Sequence, residues 1–575
     1  MKTVIRFLVL FIPFMLLTGV EGESQIIQQL DSLDNIRPFV INNKEPKSKA
    51  FIIQVKEQEQ FDNINEDLTQ AIEKGEKSIK IIIEKGVYSF HEKHIQRVND
   101  NYNDVSISVE GKDAIITSSY NYQADLVNDN AWQELLPSEG LIEILNKEKG
   151  ICKIPYKNGI LGTEKENITR VQITQWYRAP SYNVLDIDSS GVYFKESGLK
   201  YIEYSGQRGY NVNYDYLYAQ KYPRFRIFNI SNYYYRSSSC FLYLENCSYR
   251  YIKVSGIRFS CNKEESALIE IRNVKTESVN ICNNTFDHIR GNVCLVVNSD
   301  NVLFDGNNVR DTEGHELKFI RGCKSIQVTN NIFENCGKRL GQTFCINCGE
   351  TEYYIAKNIF RDFGYCAIGV GIWHGNEKLF ASKGIIEHNE IYYTPPYFAN
   401  ILKHTLMDSG AIYVWTQNDG TIIRYNYIHD YGGPRSNTAI FCDDGASNCK
   451  IYKNILINIT GKNVISARKV EDQRVGIRNN SNNLIAYNIV EGSILFMGYG
   501  NQKRHCMKGE NIVLNNSRGE PVNNTIAYLE QSAGDIKIES WDKNKGKLYL
   551  PRSYKRTIDR KFTDSYTRQF INYVK

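Results

Sequence analysis

Short apolar strands punctuated by turns, rather than helical stripes, set the pattern of this chain. Ile79-Lys80-Ile81-Ile82-Ile83, Gly86-Val87-Tyr88, Val105 to Val109 before Gly111, and Ile115-Ile116 follow one another at strand length, and β-branched residues dominate them. From Leu242 to about Met497 one unit recurs. It comprises an apolar strand, an asparagine turn, a second short strand, a variable loop and a third strand, as in Thr421-Ile422-Ile423-Arg424-Tyr425-Asn426-Tyr427-Ile428. The recurring asparagines are read as Asn284, Asn308, Asn331, Asn358, Asn389, Asn426, Asn454 and Asn488, at intervals of 23 to 37 residues, the size of one coil of a solenoid. Stacked at one turn, their amides would bond to one another and to turn backbone that the bend leaves unpaired, which is a structural role.

The pattern therefore predicts an all-β solenoid with three parallel strands per coil. Ile64, Leu68, Ala71 and Ile72 fall at helical spacing and end at Gly75, which predicts an N-terminal capping helix over an otherwise open sheet end. Aromatic-rich alternating segments such as Val171-Gln172-Ile173-Thr174-Gln175-Trp176-Tyr177 and Val192-Tyr193-Phe194 lack the asparagine and predict an inserted β subdomain. The expected divisions are a leader at 1–22, the cap and first coils at 23–159, the insert at 160–235, the main solenoid at 236–500 and a C-terminal cap at 501–575. This combination resembles the right-handed parallel β-helix of the pectin-lyase-like superfamily. The resemblance implies polysaccharide lyase, epimerase or glycoside hydrolase chemistry, and a polysaccharide or oligosaccharide partner.

Composition narrows the picture further. Lys2 and Arg6 precede an apolar run from Phe7 to Leu17, and Val20-Glu21-Gly22 suits cleavage after Gly22, so the chain is expected to be exported, secreted or periplasmic. The run is shorter than the roughly 20 residues that span a bilayer, so no membrane anchor is expected. A formal charge of +5 from 70 basic and 65 acidic residues demands no nucleic acid. Fourteen cysteines in an exported chain raise disulfides at Cys442 with Cys449 or Cys345 with Cys348, but most lie in apolar strands, where a thiol packs as a small hydrophobe. Cys345-Ile-Asn-Cys348 lacks a second pair at zinc spacing, and no metal or other cofactor is expected, calcium belonging only to a lyase alternative.

Aligning repeats on the asparagine puts Ala367-Ile368-Gly369-Val370, Ala411-Ile412-Tyr413-Val414, Ala439-Ile440-Phe441-Cys442 and Val464-Ile465-Ser466-Ala467 in one sheet. Strand alternation then points Ile368, Val370, Ile412, Val414, Ile440, Cys442, Ile465 and Ala467 inward. Gly371, Trp415, Asp443 and Arg468 form one outward row, with Tyr413 beside it, and this row reads as an exposed aromatic face suited to sugar rings or, alternatively, as aromatics covered by a long loop. Trp373 and Lys318 join Tyr413, Trp415 and Arg468 as expected substrate-binding residues.

Acidic motifs flank the long loops at His404-Thr405-Leu406-Met407-Asp408-Ser409-Gly410 and Cys442-Asp443-Asp444-Gly445. Glycoside hydrolysis needs one protonated and one ionised carboxyl group, so Asp408 and Asp443 are the expected pair, with Asp444 and His404 supporting them. On a straight strand the pair would stand seven positions apart, on the order of 20 Å, so Asp408 has to fold back over the face. Asp443-Asp444-Gly445 also reads as a plain turn. Asp408-Ser409-Gly410-Ala411-Ile412-Tyr413, Ile428-His429-Asp430 and Asp443-Asp444-Gly445 are similar to β-helical glycoside hydrolases of family 141. That resemblance implies fucosidase- or xylanase-type activity, and the motifs depart from the Asn-Thr-Asp and Gly-His-Gly pattern of polygalacturonases. Two rival classes stay open. One is a lyase or epimerase that uses Lys318, Arg468 or Lys469 against a uronate, and the other is a glycan-binding solenoid without turnover.

Overall fold

The computed structural model describes residues 32–119, except 42–44 and 46–47, and most of 239–497. Within the latter it does not describe 263–265, 338–342, 372–381, 398–408, 416–417, 433–437, 444–445, 461–463, 469, 473–475, 479–482, 487 and 492–493, and elsewhere it describes strands alone. The expected leader and most of the expected C-terminal cap lie outside the described residues. Among the described residues no helix is long and apolar enough to cross a membrane.

Each coil contributes, in chain order, one strand to each of three parallel walls, which hold 13, 12 and 11 strands. The first coil runs through Ser78–Ile83, Gly86–Ser89 and Lys93–Val98. Each strand stacks in register on the next, with Ile79 opposite Ile107, Val87 opposite Ile115 and Ile95 opposite Leu242. In-register parallel stacking sets like on like. Phe259 stacks on its register partner Phe286 with ring centroids 5.2 Å apart and Phe333 on Phe360 at 4.8 Å, while Phe304 from the first wall lies 5.7 Å from Phe286. The core is this interior, and it includes Ile368, Val370, Ile412, Val414, Ile440, Cys442 and Ile465 as alternation required, while the side chain of Ala467 lies outside the described residues. The protein is thus an all-β parallel β-helix with three strands per coil.

A helix at Ile64–Glu73 follows a shorter one at Gln58–Asp62, and Phe61, Ile64, Leu68, Ala71 and Ile72 are buried. The longer helix packs on Phe51–Val55, Ser78–Ile83 and Lys93–Val98, closing the first coil, and Gly75 at φ +89° releases the chain from it.

The asparagine ladder occupies the corner between the first and second walls. It runs through Asn284, Asn307, Asn331, Asn358, Asn389, Asn426, Asn454 and Asn488, each after Asn284 accepting at Oδ1 from the side-chain amide of the asparagine before it. The member expected at Asn308 is therefore Asn307. Each described turn places a left-handed residue just before the ladder asparagine, and in this coil that residue is Gly306 at φ +66°, so Asn307 turns inward and Asn308 opens the next strand. Two adjacent asparagines left the sequence ambiguous by one position.

Where the second coil should pass from its second-wall strand Ala114–Thr117 to its third-wall strand Cys240–Glu245, the chain leaves the stack. It forms a seven-stranded antiparallel sheet whose strands run from Trp132–Leu135 to Arg224–Asn229. These strands begin upstream of residue 160, because antiparallel strands and coil strands share the same alternation and periodicity marks no boundary between them. The stack closes over the departure. Asn101–Gly111 pairs directly with Ser248–Ser255, and Lys93–Val98 with Cys240–Glu245.

All twelve described cysteines, Cys345, Cys348, Cys442 and Cys449 among them, are free thiols, and all but Cys282 are buried. They pack as apolar side chains rather than as disulfides.

Candidate active site on the third wall

The third wall brings the expected row together. Gly371 pairs with Trp415 and Trp415 with Asp443, while the parallel row joins Lys318, Asn347, Gly369, Tyr413, Phe441 and Ser466. Arg468 ends the next strand, one residue past Ala467, which pairs with Cys442; its side chain lies outside the described residues. Trp373, His404, Asp408 and Asp444 also lie outside them.

The expected exposed aromatic face is instead buried. Tyr413 and Trp415 are each 5% exposed, and with Phe344, Tyr365, Cys366 and Phe441 they form an apolar cluster outside the main core. The cause is local. Cys366–Gly371 carries glycine at both outward positions, 369 and 371, and rings from the coils on either side close over the bare strand. Phe344 and Trp415 stack there at 5.3 Å and 24°, Tyr365 stands edge-on to Phe344 at 5.5 Å, and Phe441 edge-on to Tyr413 at 5.2 Å. A Cβ on Gly369 would lie 2.3 Å from Phe344 Cδ1 and 3.0 Å from Trp415 Cζ3. Gly369→Ala is therefore expected to destabilise by about 1–3 kcal/mol, the usual cost of overpacking, and to weaken the near-ultraviolet circular dichroism of the ring pair. An unchanged unfolding midpoint together with an unchanged spectrum would show that the rings do not meet over this strand.

Polar groups are set into this apolar patch. The Tyr413 hydroxyl donates to Asp443 Oδ2 at 2.8 Å, and Asp443 is 2% exposed. The Asp443 carbonyl accepts from Ala446 N–H at 2.9 Å, so the residue also closes the turn read from Asp443-Asp444-Gly445. Trp415 Nε1 is a buried donor with no acceptor among the described residues, an arrangement that a folded chain rarely tolerates away from a site that supplies one.

The stretch around Glu316 and Lys318, the fallback place for the site should the aspartates only turn the chain, borders this patch, and sequence reasoning missed His315 within it. His315 stacks on Phe344 at 5.7 Å, and its Nδ1 accepts from Phe344 N–H at 3.2 Å. Glu316 follows, fully buried; its Oε1 accepts from Gly337 N–H at 3.0 Å and from the Thr312 hydroxyl, while Oε2 has no partner. Burial pushes the Glu316 carboxyl up to about 8, against the opposing pull of Thr312 and Gly337, so the group is neutral at physiological pH. The outward glycines in Gly369-Val370-Gly371 were the available signal that neighbouring rings fold over that strand.

His429 is not brought to Asp443. It lies on the second wall, its ring between Tyr392 at 4.7 Å and Tyr427 at 4.1 Å, with Nδ1 2.7 Å from Asp430 and Nε2 3.4 Å from Glu390. Burial opposes the charged form, but the two carboxylates outweigh it and raise the imidazole pKa. Both ring nitrogens face carboxylates, and His429 is held in place on the second wall by them.

No family model matches the chain, and no curated protein matches its sequence. Among solved structures, the chain is similar to one described as a glycoside hydrolase, at 10% identity and TM-score 0.36, over 82% of this chain and 96% of the other. It is similar to the tailspike of Acinetobacter baumannii bacteriophage AP22 in complex with a capsular saccharide, at 11% identity and TM-score 0.31, over 81% and 73%. An exopolygalacturonase from Thermotoga maritima matches at 13% identity and TM-score 0.27, over 86% and 96%. At these values the fold rests on the strand pairing described above.

Proposed function

We propose that the chain is a carbohydrate-active enzyme, a glycoside hydrolase whose site lies on the outer face of the third wall around Asp443. The observation that carries this reading is the Tyr413–Asp443 hydrogen bond beside the unpaired indole N–H of Trp415, all three groups buried among aromatic rings. A carboxylate held by a phenol in a largely dry, aromatic-walled patch suits acid–base or nucleophilic work at a glycosidic bond, and an indole N–H without an acceptor suits a sugar oxygen. Asp408 is the proposed partner carboxyl group, with Asp444 and His404 supporting the pair and Trp373, Arg468 and Lys318 contacting the saccharide. A hydrolase is favoured over a lyase because two acidic motifs border this wall, at Asp408 before one strand and at Asp443-Asp444 on the next. Lys318 stands four strands from the coil of Asp443, about 19 Å along the stack, too far to neutralise a uronate there, so a lyase would have to rely on Arg468 or Lys469.

Incubation with a panel of neutral and acidic polysaccharides should release reducing ends without the absorbance of unsaturated uronates. Asp443→Asn and Asp408→Asn are each expected to lower turnover by at least about 10²-fold while the far-ultraviolet spectrum stays that of a β protein. Elimination products would overturn the hydrolase reading. Saccharide binding without turnover by the unaltered protein would make the wall a glycan-binding surface, and near-normal activity in both variants would move the site away from these aspartates.

A further inference from the structure

The outer face of the first wall carries a segment that belongs to no coil. Asp34 lies against the late coils: its Oδ2 is 2.5 Å from Lys453 Nζ, its Oδ1 accepts from the Tyr425 hydroxyl at 3.1 Å, and Arg424 Nη1 is 3.6 Å away. Arg424 also donates to the carbonyls of Leu33 at 2.8 Å and Ile36 at 3.3 Å. Farther along, Ile41 N–H donates to Gln327 Oε1 at 3.4 Å. Glu45 meets the early coils, accepting from Ser108 at 2.7 Å and pairing with Lys253 at 3.2 Å.

These contacts lie in one line along the stacking axis. From the strand Lys450–Tyr452 to Ser248–Ser255 the first wall counts seven strand steps, about 34 Å at 4.8 Å each. Eleven residues separate Asp34 from Glu45 and reach about 36 Å when extended. Asp34 and Glu45 thus touch coils near opposite ends of that distance, at Lys453 and at Lys253.

We propose that residues 32–41 are a clasp, with Asp34 as its catch, that holds the coil of Asp443 in register with the coil of Arg468. Arg424 ends the first-wall strand of the coil that carries Thr438–Asp443, and Lys453 follows the first-wall strand of the coil that carries Ile465–Arg468. One carboxylate therefore grips both coils, on the wall next to Trp415 and Asp443. The grip is strong for its size because Arg424 and Lys453 are 5% and 7% exposed at their side chains. Charge pairs so buried are costly to break, since the remaining ion loses a partner where water does not replace it. Arg424 stays anchored to Glu387 at 2.6 Å, so loss of Asp34 bears chiefly on Lys453 and on the bridge between the coils.

Amide hydrogen exchange on the full chain tests this independently of any activity. In Asp34→Asn, amides of 418–443 and 450–468 should exchange at least tenfold faster than in the unaltered protein, while those of 79–119 keep their protection. Lys453→Gln should reproduce the pattern, and the double variant should add little to either single one. Val40→Ser, at an 84% exposed position of the same segment, should leave exchange unchanged. Unaltered exchange in the late coils, or equal acceleration along the whole stack, would overturn the clasp.

Discussion

Replacing Asn307 with leucine is expected to cost at least about 3 kcal/mol, whereas the same change one residue later, at Asn308, is expected to stay within about 0.5 kcal/mol. The Asn307 side chain accepts at Oδ1 from the Asn284 backbone N–H at 2.9 Å and the Asn284 amide at 3.2 Å. Its own amide donates to the Ile281 carbonyl at 2.9 Å and Asn331 Oδ1 at 3.1 Å. Leucine fills a similar volume but strands two donors on Asn284 and one carbonyl on Ile281, each buried, at about 1–3 kcal/mol apiece. Asn308 opens its strand half-buried, and its Oδ1 is unbonded already, so leucine there removes nothing of that kind. Denaturant midpoints of the two variants decide the matter. Equal losses would mean that the corner is held by backbone alone.

The second large effect depends on pH. Burial holds the Glu316 carboxyl up to about 8 against the ordinary 4.5 of a glutamate, so between those values the folded chain keeps a proton that the unfolded chain gives up. Stability from this group is fully present below about pH 4.5 and falls as pH rises, levelling off above about pH 8. The total loss is on the order of 5 kcal/mol, of which about 3 kcal/mol has gone by pH 7. Glu316→Gln keeps the acceptor for Gly337 and Thr312 and has no proton to lose. The variant should match or fall below the unaltered protein at pH 5 and exceed it by several kcal/mol at pH 8. Measuring both proteins at both pH values isolates the term from every other titrating group. Parallel stability curves would show that Glu316 ionises freely in the folded state.

Much of the architecture was legible in the sequence because it is local or periodic. The capping helix, the inward residues of the third wall and the row from Gly371 through Trp415 to Asp443 follow from alternation and from aligning coils on asparagine. The burial of Tyr413 and Trp415 did not follow, because it depends on two glycines in one coil and on Phe344 from the coil before. Glu316 was legible only as part of the stretch with Lys318 to which the site would move if the aspartates are turn residues; its burial, with Thr312 and Gly337 folded in around it, was not. The segment from Asp34 to Glu45 has no periodicity to read, and its partners at Tyr425 and Lys453 lie 391 and 419 positions away.

The asparagine corner and the insert together describe how such a chain tolerates change over its history. At the first-to-second-wall corner every described coil from Asn284 to Asn488 closes with the same side-chain exchange, so a residue gained or lost there would break the file. Among the described residues the corner before the third wall has only separate pairs, such as Asn335 with Asp311 and Asn458 with Asp430, rather than a continuous file, and between Thr117 and Cys240 it takes in an entire antiparallel sheet while Lys93–Val98 and Cys240–Glu245 still pair. A deletion joining Ser118 to Ser239 would leave every coil strand its neighbours. The insert therefore enters where it costs the stack nothing, at the margin that borders the wall of Trp415 and Asp443, whereas the asparagine corner admits no such addition.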